Sequence, residues 1–107
     1  MNRTISPDDL KQLLYLRKNV LVLDVRRKSD YQTDSHKISG AAWLDPDKLT
    51  LWSTALPLDR DIVVYCARGG SVSNSVVDQL QAKGVKARYI EGGFEAWKSS
   101  GGETASK

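Results

Sequence analysis

Two unbroken apolar runs, Val20-Leu21-Val22-Leu23 and Ile62-Val63-Val64-Tyr65, constrain the fold of this chain more than any other feature. Continuous β-branched and aliphatic runs of this length are what strands look like when both faces are covered, and such strands belong to parallel sheets. Helical patterns separate them. Ser6-Pro7-Asp8-Asp9 is a helix start, with Ser6 as cap, Pro7 at the first helical position and two acids where the dipole favours them. Leu10, Leu13, Leu14 and Leu16 carry its apolar stripe to about Arg17, and Asn19 can close it.

The remaining segments repeat the alternation. A weakly signalled short helix is expected around Lys28 to Thr33, and Ile38 to Trp43 reads as a turn into a short strand. Asp45-Pro46-Asp47 starts another helix, with Leu49, Leu51, Trp52 and Leu56 on its buried side and Pro57 ending it. After Cys66 and Gly69-Gly70, Val72, Val76, Val77 and Leu80 recur at helical spacing until Gly84. Val85 to Ile90 is a third strand, and Phe94 and Trp97 mark a last short helix. The expectation is an α/β fold: a mostly parallel central sheet of about 4–5 strands, flanked by helices on both faces. One domain over residues 1–107 is expected, with the small polar tail 102–107 frayed.

Composition narrows the function classes. The formal net charge is +3, but charges alternate in sign without a Lys/Arg cluster, so a nucleic-acid partner is not expected. The sequence Met1-Asn2-Arg3-Thr4 leads into an amphipathic pattern without an apolar leader or membrane-length stretch, which predicts a cytoplasmic protein with no membrane partner. One cysteine and one histidine make neither an internal disulfide nor a metal-ligand set of recognised spacing, so no metal and no cofactor are expected. Trp43, Trp52 and Trp97 read as core aromatics, and the charges around Lys28 to Lys37 as a solvated face.

Chemistry concentrates at Cys66, which follows a buried strand and precedes a helix, the position where sites in parallel α/β folds lie. Adjacent glycines allow the backbone of Ala67, Arg68, Gly69, Gly70, Ser71 and Val72 to curl so that successive N–H groups face one atom. The next helix adds its free N–H groups and the positive end of its dipole; Arg68 adds a charge, and Ser71 a hydroxyl that can serve the site or cap the helix. A free cysteine titrates near 8.5, leaving about 3% thiolate at pH 7. A drop of about two units makes roughly three quarters thiolate, for about 2.7 kcal/mol of differential stabilisation. The bland alternatives are a packing cysteine, a solvent-facing Arg68 and a plain cap at Ser71. Asp24 and Arg26, at the end of the first strong strand, read either as part of the site rim or as a structural ion-pair network, with the network favoured.

The chain resembles the rhodanese family of sulfurtransferases. The resemblance spans about Ile5 to Gly101 and rests on four motifs in order. They are Leu23-Asp24-Val25-Arg26, Ile38-Ser39-Gly40-Ala41, the loop Cys66 to Ser71, and Glu91-Gly92-Gly93-Phe94-Glu95-Ala96-Trp97. It implies a rhodanese-like fold and a thiolate at Cys66 that takes a sulfane sulfur from a donor such as thiosulfate. The sulfur is held as a persulfide and passed to cyanide or a thiol, with an acceptor protein as a further candidate partner. By position, the backbone from Ala67 to Val72 cradles the outer sulfur and Arg68 holds the small anionic donor. Lys37 stands where the family usually has His, with His36 one place earlier, and neither is assigned a catalytic role. Ala67 precedes Arg68 where thiosulfate users often have two basic residues, which makes thiosulfate a candidate surrogate donor. The competing readings are a docking or regulatory module of the same fold and, more remotely, a cysteine phosphatase. The latter needs an Arg where this chain has Val72.

Overall fold

The computed structural model of the protein describes residues 3–16 and 18–107. Its elements run β1 (Thr4–Ile5), α1 (Pro7–Tyr15), β2 (Val20–Asp24), α2 (Lys28–Thr33), β3 (His36–Ile38) and β4 (Ala42–Trp43). They continue with α3 (Leu49–Trp52), β5 (Asp61–Tyr65), α4 (Ser71–Ala82), β6 (Lys86–Ile90), α5 (Gly93–Ser99) and β7 (Thr104–Ser106). Short 3-10 turns at Pro46–Lys48 and Ser53–Ala55 flank α3.

The main sheet has five strands in the order β1-β6-β5-β2-β4, every neighbouring pair parallel. Strand β5 lies at its centre, which explains why Ile62 to Tyr65 is uniformly apolar: all four residues are fully buried. Their side chains alternate between faces, as a strand requires. Val63 and Tyr65 join Leu10, Phe94 and Trp97 in the core beneath α1 and α5, while Ile62 and Val64 join Leu49, Val76, Val77 and Leu80 beneath α3 and α4. The expected parallel α/β architecture is therefore the one observed, with β1 as a strand the sequence pattern had not marked.

Helix α1 starts as its sequence predicts: the Ser6 side chain accepts from the Asp9 N–H at 3.1 Å and Pro7 opens the helix. The expected helix end near Arg17 and the opening Met1-Asn2 lie outside the described residues; α1 itself ends at Tyr15 with Leu16 exposed. Helix α4 stops where Gly84 adopts a left-handed φ of 82°.

Two expectations need correction. The predicted helix from Asp45 to Leu56 is broken into the two 3-10 turns and the single turn of α3, and Leu51, expected on its buried side, is 74% exposed. Asp45 caps the first turn through its bond from the Asp47 N–H, and Trp52 donates its indole N–H back to the Asp45 carbonyl at 2.8 Å, which folds the segment on itself. Within residues 102–107, expected to fray, Thr104–Ser106 instead form β7 and pair antiparallel with β3, His36 opposite Ser106 and Ile38 opposite Thr104. The polar tail gains its order from partners invisible in composition. The buried Trp97 donates its indole N–H to the Glu103 carbonyl at 3.0 Å, and that carbonyl also accepts from the Ser39 N–H at 3.2 Å.

Candidate active site

Strand β5 delivers Cys66 to the carboxyl edge of the sheet. Immediately before it, Tyr65 is fixed by accepting the Ile38 N–H at 3.1 Å, and burial pushes its phenol pKa well up. The chain then turns through residues 66–70 into α4. Gly69 makes this turn possible with a φ of 69°, a conformation that L side chains rarely adopt.

The loop is oriented by α5. The Phe94 N–H donates to the Cys66 carbonyl at 2.9 Å, and the Glu95 N–H donates to the Ala67 carbonyl at 3.1 Å. Both peptides are trans, so anchoring these carbonyls against α5 turns the N–H groups of Ala67 and Arg68 the opposite way. Among the described residues, no acceptor takes the backbone N–H groups of residues 67–72. The loop thus presents a run of free amide donors beside a thiol and the positive end of a twelve-residue helix.

Cys66 is buried but not sealed: it retains 6% of its exposure and lies on the wall of a cavity of about 570 Å³. Ala67, Arg68, Gly70, Ser71 and Val72 line it as well, and so do Arg27, Ser29 and Asp30 at the start of α2. Of the candidate loop residues only Gly69 is absent from the cavity, because it faces the turn at Gly92 and Gly93. Ser71 does not cap α4. Gly70 occupies the cap position without any side-chain bond, and Ser71 is the first helical residue. Arg68 extends into solvent and pairs with Glu95, Nε to Oε2 at 3.1 Å, so the charge expected to hold a donor already faces a carboxylate.

Asp24 and Arg26 form a buried bidentate pair beneath the loop. Arg26 Nη2 lies 2.7 Å from Asp24 Oδ2 and Nε lies 3.0 Å from Oδ1, while the Arg26 N–H donates to the same carboxylate. Arg26 also donates to the His36 carbonyl at 3.0 Å and reaches Asp34 at 3.3 Å. Its guanidinium stacks over Phe94, 4.6 Å from the ring centroid. Burial opposes its charge, but Asp24, together with Tyr65 and Asp34, outweighs that and holds the Arg26 pKa above its ordinary value. These contacts tie β2, α2, β3 and α5 together under the loop. His36 itself is exposed, bonded through Nδ1 to Ser35 Oγ at 2.9 Å, and does not line the Cys66 cavity.

Gly93, Arg27 and Asp30 received no role from sequence. A methyl group on Gly93 would stand 2.5 Å from both the Cys66 carbonyl oxygen and the Gly69 nitrogen, so this glycine is what lets α5 approach the loop. The available signal was the Gly92-Gly93 pair directly after a strand. Asp30 lies within Lys28 to Lys37, whose charges read as a solvated face, and Arg27 stands just before that segment.

The rhodanese-like domain family matches residues 6–100 of the chain. The thiosulfate sulfurtransferase GlpE of Coxiella burnetii (strain RSA 331 / Henzerling II) is 33% identical over 87 residues, covering 80% of this chain and 78% of that protein. Among solved structures, a rhodanese-related protein from Thermoplasma volcanium superposes with a TM-score of 0.83 at 26% identity, covering 96% of this chain and 97% of the other. A rhodanese-like domain protein from Staphylococcus aureus does so with a TM-score of 0.81 at 31% identity, with the same coverage. A parallel sheet ordered β1-β6-β5-β2-β4, a cysteine loop leaving its central strand and a match along nearly the whole chain lead to one conclusion: the chain belongs to the rhodanese-like domain family.

Proposed function

We propose that this protein is a sulfurtransferase in which Cys66 carries sulfur between a small anionic donor and a thiophilic acceptor. With thiosulfate as donor, the Cys66 thiolate attacks the outer, sulfane sulfur. The new S–S bond forms as the bond to the sulfite sulfur breaks, and sulfite leaves with the electron pair. The acceptor, cyanide or a thiolate, then attacks the outer sulfur of the persulfide; thiocyanate or a new persulfide forms, and the Cys66 thiolate returns. Donor and acceptor balance the redox change between them.

The observation that carries this reading is the anchoring of the Cys66 and Ala67 carbonyls by Phe94 and Glu95. It leaves the loop N–H groups free to stabilise negative charge on sulfur, at the start of a helix whose dipole acts in the same sense. The similarity to proteins named thiosulfate sulfurtransferase supports thiosulfate as the first donor to try. Val72, at the position where a phosphoryl-transferring loop needs its arginine, weighs against phosphate chemistry. The test is thiocyanate formation from thiosulfate and cyanide. Turnover by the wild type and none by Cys66→Ser is the expected result, because the hydroxyl is far less nucleophilic; comparable turnover by both refutes the assignment.

A further inference from the structure

Resting on the sulfur-transfer reading, we propose that Arg27, and not Arg68, is the specificity-determining cation that receives the anionic donor at Cys66. The topology brings the two residues together. Strands β2 and β5 are hydrogen-bonded neighbours with Asp24 opposite Tyr65, so Arg27 and Cys66 both lie just past the carboxyl ends of adjacent central strands. Both line the same cavity of about 570 Å³.

The charges in that cavity are not equivalent. Arg68 has its guanidinium on Glu95 at 3.1 Å, and the neighbouring Arg26, which does not line this cavity, is committed to Asp24 and Asp34. Arg27 is exposed, and its guanidinium makes no hydrogen bond or ion pair with any described residue. Its backbone is held, the carbonyl accepting the Tyr31 N–H at 2.9 Å as α2 begins, so the side chain has a fixed origin and an uncommitted head. An arginine in this state can meet a sulfonate-like or carboxylate oxygen with two N–H donors while the reactive sulfur faces the loop amides. The acidic side chain lining the same cavity is Asp30, whose charge offsets part of the attraction of Arg27 for any anion. The ligand class is therefore a small anion with an accessible electrophilic sulfur.

The experiment uses two alkylating reagents of similar size, anionic iodoacetate and neutral iodoacetamide, on the full chain. Cys66 is its only cysteine, so intact mass against time gives both rates. The readout is the iodoacetate-to-iodoacetamide ratio, which cancels changes in thiol nucleophilicity common to both. In Arg27→Ala the ratio is expected to fall by about fivefold at low ionic strength, the scale of losing one nearby unit charge in water. Arg27→Lys should keep most of it, Asp30→Asn should raise it, and Arg68→Ala should move it less than Arg27→Ala. An unchanged ratio in Arg27→Ala, or a larger fall in Arg68→Ala, overturns the proposal, and so does a fall in Asp30→Asn. Alkylation requires no sulfur transfer. Failure of the transfer reading shows up as absent thiocyanate formation, whereas failure of the Arg27 assignment shows up in this ratio alone.

Discussion

Gly93 touches the reactive loop at the backbone of Cys66: a β-carbon placed on it would lie 2.5 Å from the Cys66 carbonyl oxygen and 2.7 Å from the Arg68 nitrogen. The contact joins two segments far apart in sequence, and it lets the first amides of α5 reach the loop carbonyls. Gly93→Ala should therefore displace the loop or α5, and the position adds backbone strain because its φ is 64°. A displacement near 1 Å at a reacting centre is worth about 100-fold in rate, so thiocyanate formation should fall by about that factor. Gly40→Ala is the control: its φ of 82° brings strain of roughly 1–2 kcal/mol, but a methyl there meets nothing within 4 Å. It should lower thermal stability and leave transfer rates near wild type. Equal activity losses in the two variants would contradict the steric account.

Asp24 and Arg26 stabilise the floor of the site as a pair. Removing one charge leaves the other buried without compensation, a change that typically costs about 3–5 kcal/mol. Asp24→Asn keeps the shape but not the charge, and should shift the denaturant midpoint down accordingly with an unchanged slope. A loss under about 1 kcal/mol would mean that Arg26 finds sufficient compensation in Asp34 and the aromatic rings.

Acid sensitivity should trace in part to Asp34. Burial raises its pKa, but the His36 N–H, Lys98 and Arg26 together outweigh that effect and hold the carboxylate below its ordinary range. A carboxylate with a depressed folded-state pKa contributes stability that is fully present above the unfolded value of about 4 and is lost as pH falls through the folded value. Asp34→Asn should accordingly be less stable than wild type at pH 7, with the difference closing on acidification below about pH 4. Urea denaturation at a series of pH values checks this, and a difference that widens toward low pH has the wrong sign.

The carboxyl-terminal strand should matter to the site's support rather than its chemistry. Deleting residues 103–107 removes the pairing of β7 with β3, the acceptor of the Trp97 indole and the acceptor of the Ser39 N–H. The two bonds to the Glu103 carbonyl alone contribute about 1 kcal/mol net each, so a loss of at least roughly 2 kcal/mol is expected. Hydrogen exchange should show the Ser39 amide losing protection while the amides of β5 keep theirs.

Much of this arrangement was legible in the sequence because parallel strands and their flanking helices write their burial into residue type. Val63 and Val64 point to opposite cores, and a run that is apolar at every position encodes both. The lone cysteine between such a strand and a Gly-Gly turn marked the loop for the same local reasons. Three kinds of feature escaped. β1, β3 and β7 are two- or three-residue strands whose order comes from the edges they meet, and no periodicity fits in so few residues. Leu51 reads as core but faces solvent, since the helix around it is interrupted by the Asp45 cap and the Trp52 indole bond. The ion pair of Arg68 escaped because it depends on Glu95 of α5, which the fold and not the local sequence brings beside it.

Storage of transferable sulfur on Cys66 is tested most directly by intact mass spectrometry, which does not presume the acceptor. Treated with thiosulfate and desalted, the wild-type chain should gain the mass of one sulfur atom, lose it again on addition of cyanide, and gain nothing as Cys66→Ser. A folded wild-type protein that stays at its starting mass with thiosulfate and with other sulfane-sulfur donors would contradict the account and leave the loop as part of a docking module.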